Sequence, residues 1–347
     1  MQKNIVSSPR NQSLEVCKLI AAFFVICIHC DFPGRIFIML NAVARFAVPF
    51  FFAVSGYFSW HVKAETIRKR VIGIVKLLVF STMLYILFEI YSCCFVHDQS
   101  ILPHFLQMLP PRRLFSFLLL NIHPIAGHLW YLNSMICCYV VFYFFTKWQR
   151  SAQDYRPLYY IGFVLFLMFV FLDSFLPAAR LSVSNMVYRN ALFFGFPMFT
   201  MGLFLREHQE KVLRLFPITG FRFCIAMAVG IFLTLFQRYG AERLELPLGM
   251  LICVIAMLLL CIRSPQLTRH PALSSVIARF GNLSTIIYVI HLIWLNLYHY
   301  YADTFFRTRF GNTAAMLMAP VFTYVCSLLT GILWELLRSL FIRLRNK

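Results

Sequence analysis

Four ionisable residues interrupt the two long apolar stretches that make up residues 13–60. They are Glu15, Lys18 and His29 in the first stretch and Arg45 in the second. An ionisable side chain within a membrane-spanning helix is energetically costly, so its presence indicates a functional site by default. A histidine in such a place has a proton affinity suited to a general base near neutral pH. A lysine there offers a cation that can hold a phosphate group.

Helix geometry places three of these side chains along one face of the first predicted helix. Lys18 and His29 are eleven residues apart, so at 100° per residue their directions differ by only about 20°. The same rule puts Glu15 within about 40° of this line, and the helical rise separates Lys18 from His29 by about 16 Å. The spacing therefore predicts an acid, a cation and an imidazole along the depth of the membrane, with Glu15 placed to orient Lys18.

These residues and two later motifs resemble the membrane acyltransferase-3 family, whose bacterial members transfer acyl groups from acyl-CoA to extracytoplasmic glycans. The first helix of that family carries an acid, then Arg or Lys, then ten intervening residues and a His, which is the order of Glu15, Lys18 and His29. Its second helix ends in a stretch like VPFFFxxSGY, matched here by residues 48–57. A third match, residues 128–132, reads HLWYL where the family has a stretch like HLWFL.

The resemblance and the cost of placing charge in a membrane together predict three groups of site residues. The catalytic group consists of His29, as general base, with Glu15 and Arg45. The group expected to bind the acyl-CoA donor consists of Lys18, Arg68, Arg70, Ser55 and Tyr57. The group expected to bind the acceptor consists of His128, Trp130 and His291.

Simpler interpretations stay open for several of these residues. Lys18 also suits a side chain that extends its ammonium group to the membrane surface. The positive charges at residues 68–70 also follow from membrane topology, and Gly73 stands where the second arginine of the family's Arg-x-x-Arg motif would follow. Small residues such as those at 55–56 favour close helix packing, and His128 begins an aromatic stretch typical of a membrane interface.

Composition excludes a soluble protein. The 347 residues are 61% hydrophobic and 17% aromatic, which is more apolar surface than a soluble domain of this length can bury. The net charge of +19 lies between the apolar segments, where it sets topology and contacts anionic lipids, so no nucleic-acid partner is expected. Eleven cysteines are scattered mostly through apolar runs, without the spacing of a zinc site, so we expect neither a metal site nor a disulfide framework.

Hydropathy predicts an all-α polytopic transmembrane bundle of about ten spanning helices in a single domain, residues 1–347. Besides two spans within residues 13–60, we expect spans near residues 73–95, 128–146, 157–176, 189–206, 215–236, 246–262, 281–301 and 313–337. Every second connection is rich in Lys and Arg, which predicts that both termini are cytoplasmic in a multi-pass protein of the bacterial inner membrane. In the longest connection, 96–127, the apolar part 114–122 predicts a short interfacial or re-entrant helix.

Two classes of function fit this pattern. The first is a membrane O-acyltransferase that takes an acyl group, with acetyl expected, from acyl-CoA to a hydroxyl of a glycan or lipid-linked saccharide. The second is a transporter or binding module for a small polar substrate such as an amino acid, because membrane-embedded His, Lys and Arg also line substrate pathways. No inverted repeat is visible, and no soluble racemase-like domain is attached, as occurs in some related membrane proteins. Both observations favour the enzyme.

Overall fold

The computed structural model describes residues 11–149, 154–179, 181, 183–240, 244–279 and 283–345, and these ranges form helices without a β-strand. The all-α prediction is confirmed for this part of the chain. The helices of the first half are α1 (Gln12–His29), α2 (Gly34–Ala44), α3 (Ala47–Tyr57), α4 (Ala64–Phe95), α5 (Ile101–Met108), α6 (Pro111–Leu120), α7 (Trp130–Trp148) and α8 (Arg156–Val170). A 3₁₀ turn, Gly127–Leu129, leads into α7.

The second half is more irregular. Its helices are α9 (Leu176–Ala178), α10 (Asn185–Tyr188), α11 (Phe196–Glu207), α12 (Gln209–Leu215), α13 (Gly220–Gly240), α14 (Leu248–Arg263), α15 (Pro271–Arg279), α16 (Leu283–Leu297), α17 (Asp303–Phe310) and α18 (Asn312–Arg345). Three π-helical turns join some of them, at Phe171–Phe175, Ala191–Gly195 and Tyr298–Ala302. Such turns widen a helix locally and often occur at functional sites.

Seven helical stretches in the described part of the chain are long and apolar enough to cross a membrane. They are Gln12–His29, Gly34–Tyr57, Ala64–Phe95, Gly127–Trp148, Arg156–Phe175, Gly220–Arg238 and Asn312–Leu344. The other three segments predicted to span are helical but short: α14 has 16 residues, α16 has 15 before a π-helical turn, and α11 has 12 after one. Irregular or short helices at membrane depth are tolerated where protein surrounds them. Seven of the predicted spans thus meet both the length and the hydropathy criterion in the described residues, and the total of about ten stays a prediction.

The second predicted span is broken at Arg45 and Phe46, which separate α2 from α3. Pro49 explains the break, because proline has no N–H for the carbonyl four residues earlier and its ring clashes with that carbonyl. The carbonyl in question is that of Arg45. Arg45, the ionisable residue of the second apolar stretch, therefore lies at a kink.

Helices α3 and α11 approach each other closely at two glycines. A methyl group built on Gly56 would lie 1.8 Å from the Phe199 carbonyl oxygen, and one on Gly202 would lie 1.9 Å from the Ala53 carbonyl oxygen. Neither helix could hold this position with a side chain at those sites. The close-packing interpretation of the SGY stretch is therefore correct for Gly56.

The basic connections meet at one end of the bundle. The side chain of Gln12, at the start of α1, donates to the Ser274 hydroxyl at 2.8 Å, and the backbone N–H of His61 donates to the Tyr155 hydroxyl at 3.1 Å. The four residues come from connections or helix ends that the sequence places on one side of the membrane. We call this end of the molecule the basic end.

The long connection between α4 and α7 contains two short helices, α5 and α6, where the sequence predicted one at 114–122. Its last part is fixed by His123, whose Nδ1 accepts the Ala126 N–H at 3.0 Å. The hydrogen of the neutral ring is then on Nε2, which lies 3.0 Å from the Thr82 hydroxyl on α4. Burial lowers the pKa of His123 to about 4. His123 is thus a neutral structural residue.

Candidate active site

Three histidines from three separate helices meet at the end of the bundle opposite the basic end. His29 is the last residue of α1, His128 lies in the 3₁₀ turn before α7, and His291 lies within α16. The ring centroid of His291 is 5.3 Å from that of His29 and 5.0 Å from that of His128. His128 and His291 are buried whereas His29 is exposed. We call these residues the histidine cluster and this end of the molecule the histidine end.

Hydrogen bonding defines the form of His291. Its Nδ1 lies 2.8 Å from the Tyr288 carbonyl oxygen and 3.2 Å from that of Ile287. A carbonyl only accepts, so Nδ1 carries the hydrogen and Nε2 of the neutral ring is left with a free lone pair. That Nε2 is buried without a hydrogen-bond partner among the described residues. Buried nitrogens without partners are costly, which is typical of a functional site.

An ion cluster lies beside His29. Arg45 forms a salt bridge with Glu245, and Arg189 approaches the same carboxylate at 3.8 Å. Asn185 donates to Glu245 at 2.7 Å. Burial by itself raises the pKa of Glu245, but Arg45 and Arg189 outweigh burial and hold that pKa below its ordinary value. Glu245 is therefore ionised, and two cations share one anion.

The backbone around Glu245 is held by a second carboxylate. Asp173, fully buried in the π-helical turn after α8, accepts the N–H groups of Glu245 at 2.9 Å and Leu246 at 3.1 Å. On the other side of the cluster, the Arg189 guanidinium lies over the Trp130 ring, 5.6 Å from its centroid. The cluster is thus fixed by its own backbone and by an aromatic face.

Two cavities share lining residues beside the histidine cluster. The outer cavity, of about 60 Å³, is lined by His29, Arg45, His128, Trp130, Tyr131, Arg189, Glu245 and Tyr288, among others. The inner cavity, of about 210 Å³, is lined by apolar side chains of α3, α4 and α7 and by Ser55, Tyr131, Tyr139, Ser284, Thr285 and Tyr288. Tyr131 and Tyr288 line both cavities and so lie between them.

At the basic end, Lys18 and Glu15 form the salt bridge that the spacing predicts, with 2.7 Å between Nζ and Oε2. Both side chains are mostly buried, with exposed fractions of 20% and 11%. They lie on α1 at the other end from His29. The predicted catalytic role of Glu15 therefore has no direct geometric support, whereas its orienting role does.

The residues predicted to bind the donor lie in different parts of the structure. Tyr57 donates to Gln209 at 2.8 Å and accepts from Arg206 at 3.0 Å, and Arg206 also lies over the Tyr57 ring. Ser55 lines the inner cavity. Arg70, by contrast, donates to the Phe58 carbonyl and the Ser59 hydroxyl at 3.0 and 3.1 Å and so caps the end of α3.

Arg68 is exposed on α4. The structure thus brings His29, Arg45, His128, Trp130 and His291 together at one end and places Ser55 between them and the basic end. Glu15, Lys18, Arg68, Arg70 and Tyr57 lie toward the basic end. Arg189 and Glu245 were not predicted as site residues, although a glutamate between two apolar helices in a chain with only 13 acidic residues was an available signal.

Comparison with known proteins identifies the family of the chain. The model of the acyltransferase-3 family, described as an acyltransferase domain, matches residues 11–334. The chain belongs to the acyltransferase-3 family. The matched region contains the helix α1 motif, the histidine cluster and Glu245, so this assignment covers every part of the candidate site.

Two curated relatives of this acyltransferase-3 member are amino-acid racemases of enterococci. A serine/alanine racemase of Enterococcus gallinarum is 24% identical over 81% of this chain and 40% of its own length. An amino-acid racemase of Enterococcus faecalis is 25% identical over 57% of this chain and 28% of its own length. The chain thus spans less than half the length of either relative. No solved structure is similar to it.

The arrangement can perform acid–base chemistry at a place that the outer cavity reaches. Within the described ranges, no group of three or more His, Cys, Asp or Glu side chains is arranged to hold a metal ion. The chemistry accessible to these side chains is proton transfer by imidazole and stabilisation of negative charge by two arginines. These are the two functions that an acyl transfer between a thioester and a hydroxyl requires.

Proposed function

We propose that this acyltransferase-3 member is a membrane O-acyltransferase that moves an acyl group from acyl-CoA to a hydroxyl of a glycan or lipid-linked saccharide. The observation that carries the proposal is the position of the His29 imidazole. This imidazole lines the outer cavity, its neighbour His291 has a free Nε2, and two aromatic side chains, Tyr131 and Tyr288, line both that cavity and the inner one. Donor and acceptor can therefore approach one imidazole from opposite ends of the bundle.

The donor enters from the basic end in this proposal. CoA is anionic and cytosolic, which suits a basic, cytoplasmic face of a bacterial inner membrane. Lys18 and Arg206 supply positive charge there, and the apolar inner cavity suits the uncharged arm that carries the thioester. Its volume of about 210 Å³ favours a short acyl group, and acetyl is the donor we expect.

The acceptor hydroxyl enters the outer cavity, where His29 takes its proton. The hydroxyl oxygen forms a bond to the acyl carbon, and the carbon–sulfur bond breaks. The proton then passes from His29 to the CoA thiolate, so the histidine ends neutral. Arg45 and Arg189 place positive charge where the acyl oxygen becomes negative.

The same ion cluster favours a second candidate function. Two arginines and one carboxylate beside a small cavity also suit the carboxylate and ammonium of an amino acid, and both curated relatives are named amino-acid racemases. In that case the chain would bind or transport an amino acid without using an acyl donor.

One experiment separates these functions. Membranes containing the chain are incubated with radiolabelled acetyl-CoA, and label is measured in the saccharide fraction. The acyltransferase proposal expects label there and free CoA in equal amount. In parallel, uptake of serine and alanine is measured in proteoliposomes that lack acetyl-CoA. Uptake without label transfer would overturn the enzymatic proposal and favour the second candidate.

A further inference from the structure

Tyr131 and Tyr288 are the two residues that both cavities share at the centre of the bundle. Tyr131 is in the first turn of α7, and Tyr288 lies one turn before His291 on α16. Their rings meet edge to face with centroids 5.3 Å apart. The inner cavity continues from this pair toward Tyr139 and Ile74, and the outer cavity continues toward Arg45 and Arg189 on the other side.

Each ring of the pair is held by the surrounding protein. The Tyr288 hydroxyl donates to the backbone carbonyl of His128. The Tyr131 ring packs edge to face against Phe52, with centroids 4.8 Å apart. Tyr288 is only 7% exposed. The two rings therefore have fixed positions, and Tyr288 also holds the backbone of His128 in the histidine cluster.

We propose that the Tyr131–Tyr288 pair is the partition that determines whether the acyl group goes to a hydroxyl or to water. The inference rests on the proposed acyltransferase function. In it, the thioester reaches the edge of the partition from the inner cavity, and the acceptor hydroxyl reaches the same edge from the outer cavity. The aromatic rings keep bulk water of the histidine end away from the thioester until an acceptor fills the outer cavity.

The side reaction that the partition suppresses is thioester hydrolysis. Water would attack the acyl carbon, a carbon–oxygen bond would form and the carbon–sulfur bond would break. One proton of that water would pass through His29 to the CoA thiolate, and the product would be a free carboxylic acid. Water uses the same base as the hydroxyl acceptor does, so only exclusion distinguishes them.

The first test compares hydrolysis with transfer in the purified protein. Tyr131→Ala should raise the ratio of free acetate to acetylated saccharide about tenfold, which corresponds to a hydrolysis barrier lower by ~1.4 kcal/mol. Tyr131→Phe keeps the ring and should keep the native ratio. Tyr143→Ala is the control, because it removes a tyrosine ring from the same helix, α7, at a position that lines neither cavity. An unchanged ratio in Tyr131→Ala, or an equal rise in Tyr143→Ala, would overturn the partition.

The second test needs no enzymatic activity. A membrane-impermeant thiol reagent is added to sealed vesicles on the side that labels Asp31→Cys, an exposed position beside the histidine end, and the labelled peptides are identified by mass spectrometry. Ser55→Cys, in the inner cavity, should be protected in the otherwise native chain and labelled at least tenfold faster when Tyr131→Ala is added. Equal labelling in both backgrounds would overturn the partition.

Together the two tests separate the inference from the function on which it rests. Changed labelling without any acetyl transfer by the native protein would retain the partition as a structural element and overturn the acyltransferase proposal, and with it the stated role. Acetyl transfer by the native protein with unchanged labelling would retain the function and overturn the partition.

Discussion

The imidazole rings of His29 and His291 lie 5.3 Å apart, although they come from the first and the last third of the chain. The Nδ1–H of His291 donates to carbonyl groups of its own helix. Its free nitrogen, Nε2, is therefore an acceptor. In the proposed reaction, His29 becomes positively charged when it takes the proton of the hydroxyl. A neighbouring acceptor stabilises that charged ring and fixes its orientation.

This relationship predicts the effect of replacing His291. His291→Phe keeps the ring but removes the acceptor, so kcat for acetyl transfer should fall by about 10- to 100-fold while KM for acetyl-CoA changes little. His299→Phe, an exposed position farther along the same helical segment, should leave both unchanged. Both constants are measured by steady-state kinetics at several acetyl-CoA concentrations. A raised KM with native kcat would show that His291 contributes to binding instead.

The ion cluster predicts that substitutions at two glutamates lower the free energy of unfolding by very different amounts. Glu245→Gln leaves Arg189 and the more deeply buried Arg45, whose side chain is 18% exposed, without their anion, so the free energy of unfolding should fall by about 3–5 kcal/mol. Glu210→Gln breaks the exposed pair with Arg214, whose partners are more than four-fifths exposed, and should have almost no effect. Thermal unfolding in detergent compares the two variants. Equal small shifts would contradict a structural role for the cluster.

The contact between α3 and α11 predicts a sharp difference between two glycines. Gly56→Ala places a methyl group against the Phe199 carbonyl and should destabilise the fold by about 1–3 kcal/mol. Gly73→Ala, in α4, meets nothing within 4 Å and should be neutral or stabilising, because alanine favours a helix. The measurement is the melting temperature of each variant. A stable Gly56→Ala protein would contradict the close approach of the helices.

His123 predicts a specific pH dependence of stability. Its pKa in the folded protein is about 4, below the ordinary value of 6.5. Between these values the unfolded chain binds a proton that the folded chain does not, so stability present above pH 6.5 is lost as pH falls toward 4, by roughly 3 kcal/mol at most. His123→Gln removes this titrating group, so the melting temperature of the variant should depend less on pH between 4 and 6.5. Parallel pH profiles of the two proteins would contradict the assignment.

The first helix was the most predictable part of the candidate site. The spacing of Glu15, Lys18 and His29 depends only on the geometry of one helix, and the salt bridge between Glu15 and Lys18 follows from it. The motifs at 48–57 and 128–132 likewise identified the family, because each is a short local pattern. The all-helical fold followed from hydropathy for the same reason.

The partners of Arg45 could not be predicted. Glu245 and Arg189 lie on connections far away in the chain, and which connections meet depends on the packing of helices that are individually uniform in hydropathy. The kink at Arg45 was readable in principle from Pro49. Hydropathy also does not show where a π-helical turn interrupts a predicted span, as at Tyr298–Ala302.

The most direct test of the account is acetyl transfer by His29 variants. Membranes with matched levels of native protein, His29→Ala, His29→Asn and the exposed control His270→Ala receive radiolabelled acetyl-CoA, and label in the saccharide fraction is followed with time. The account predicts native rates for His270→Ala and rates lower by about 10² to 10⁴ for both His29 variants, because neither alanine nor asparagine accepts the proton. Near-native transfer by His29→Ala would contradict it.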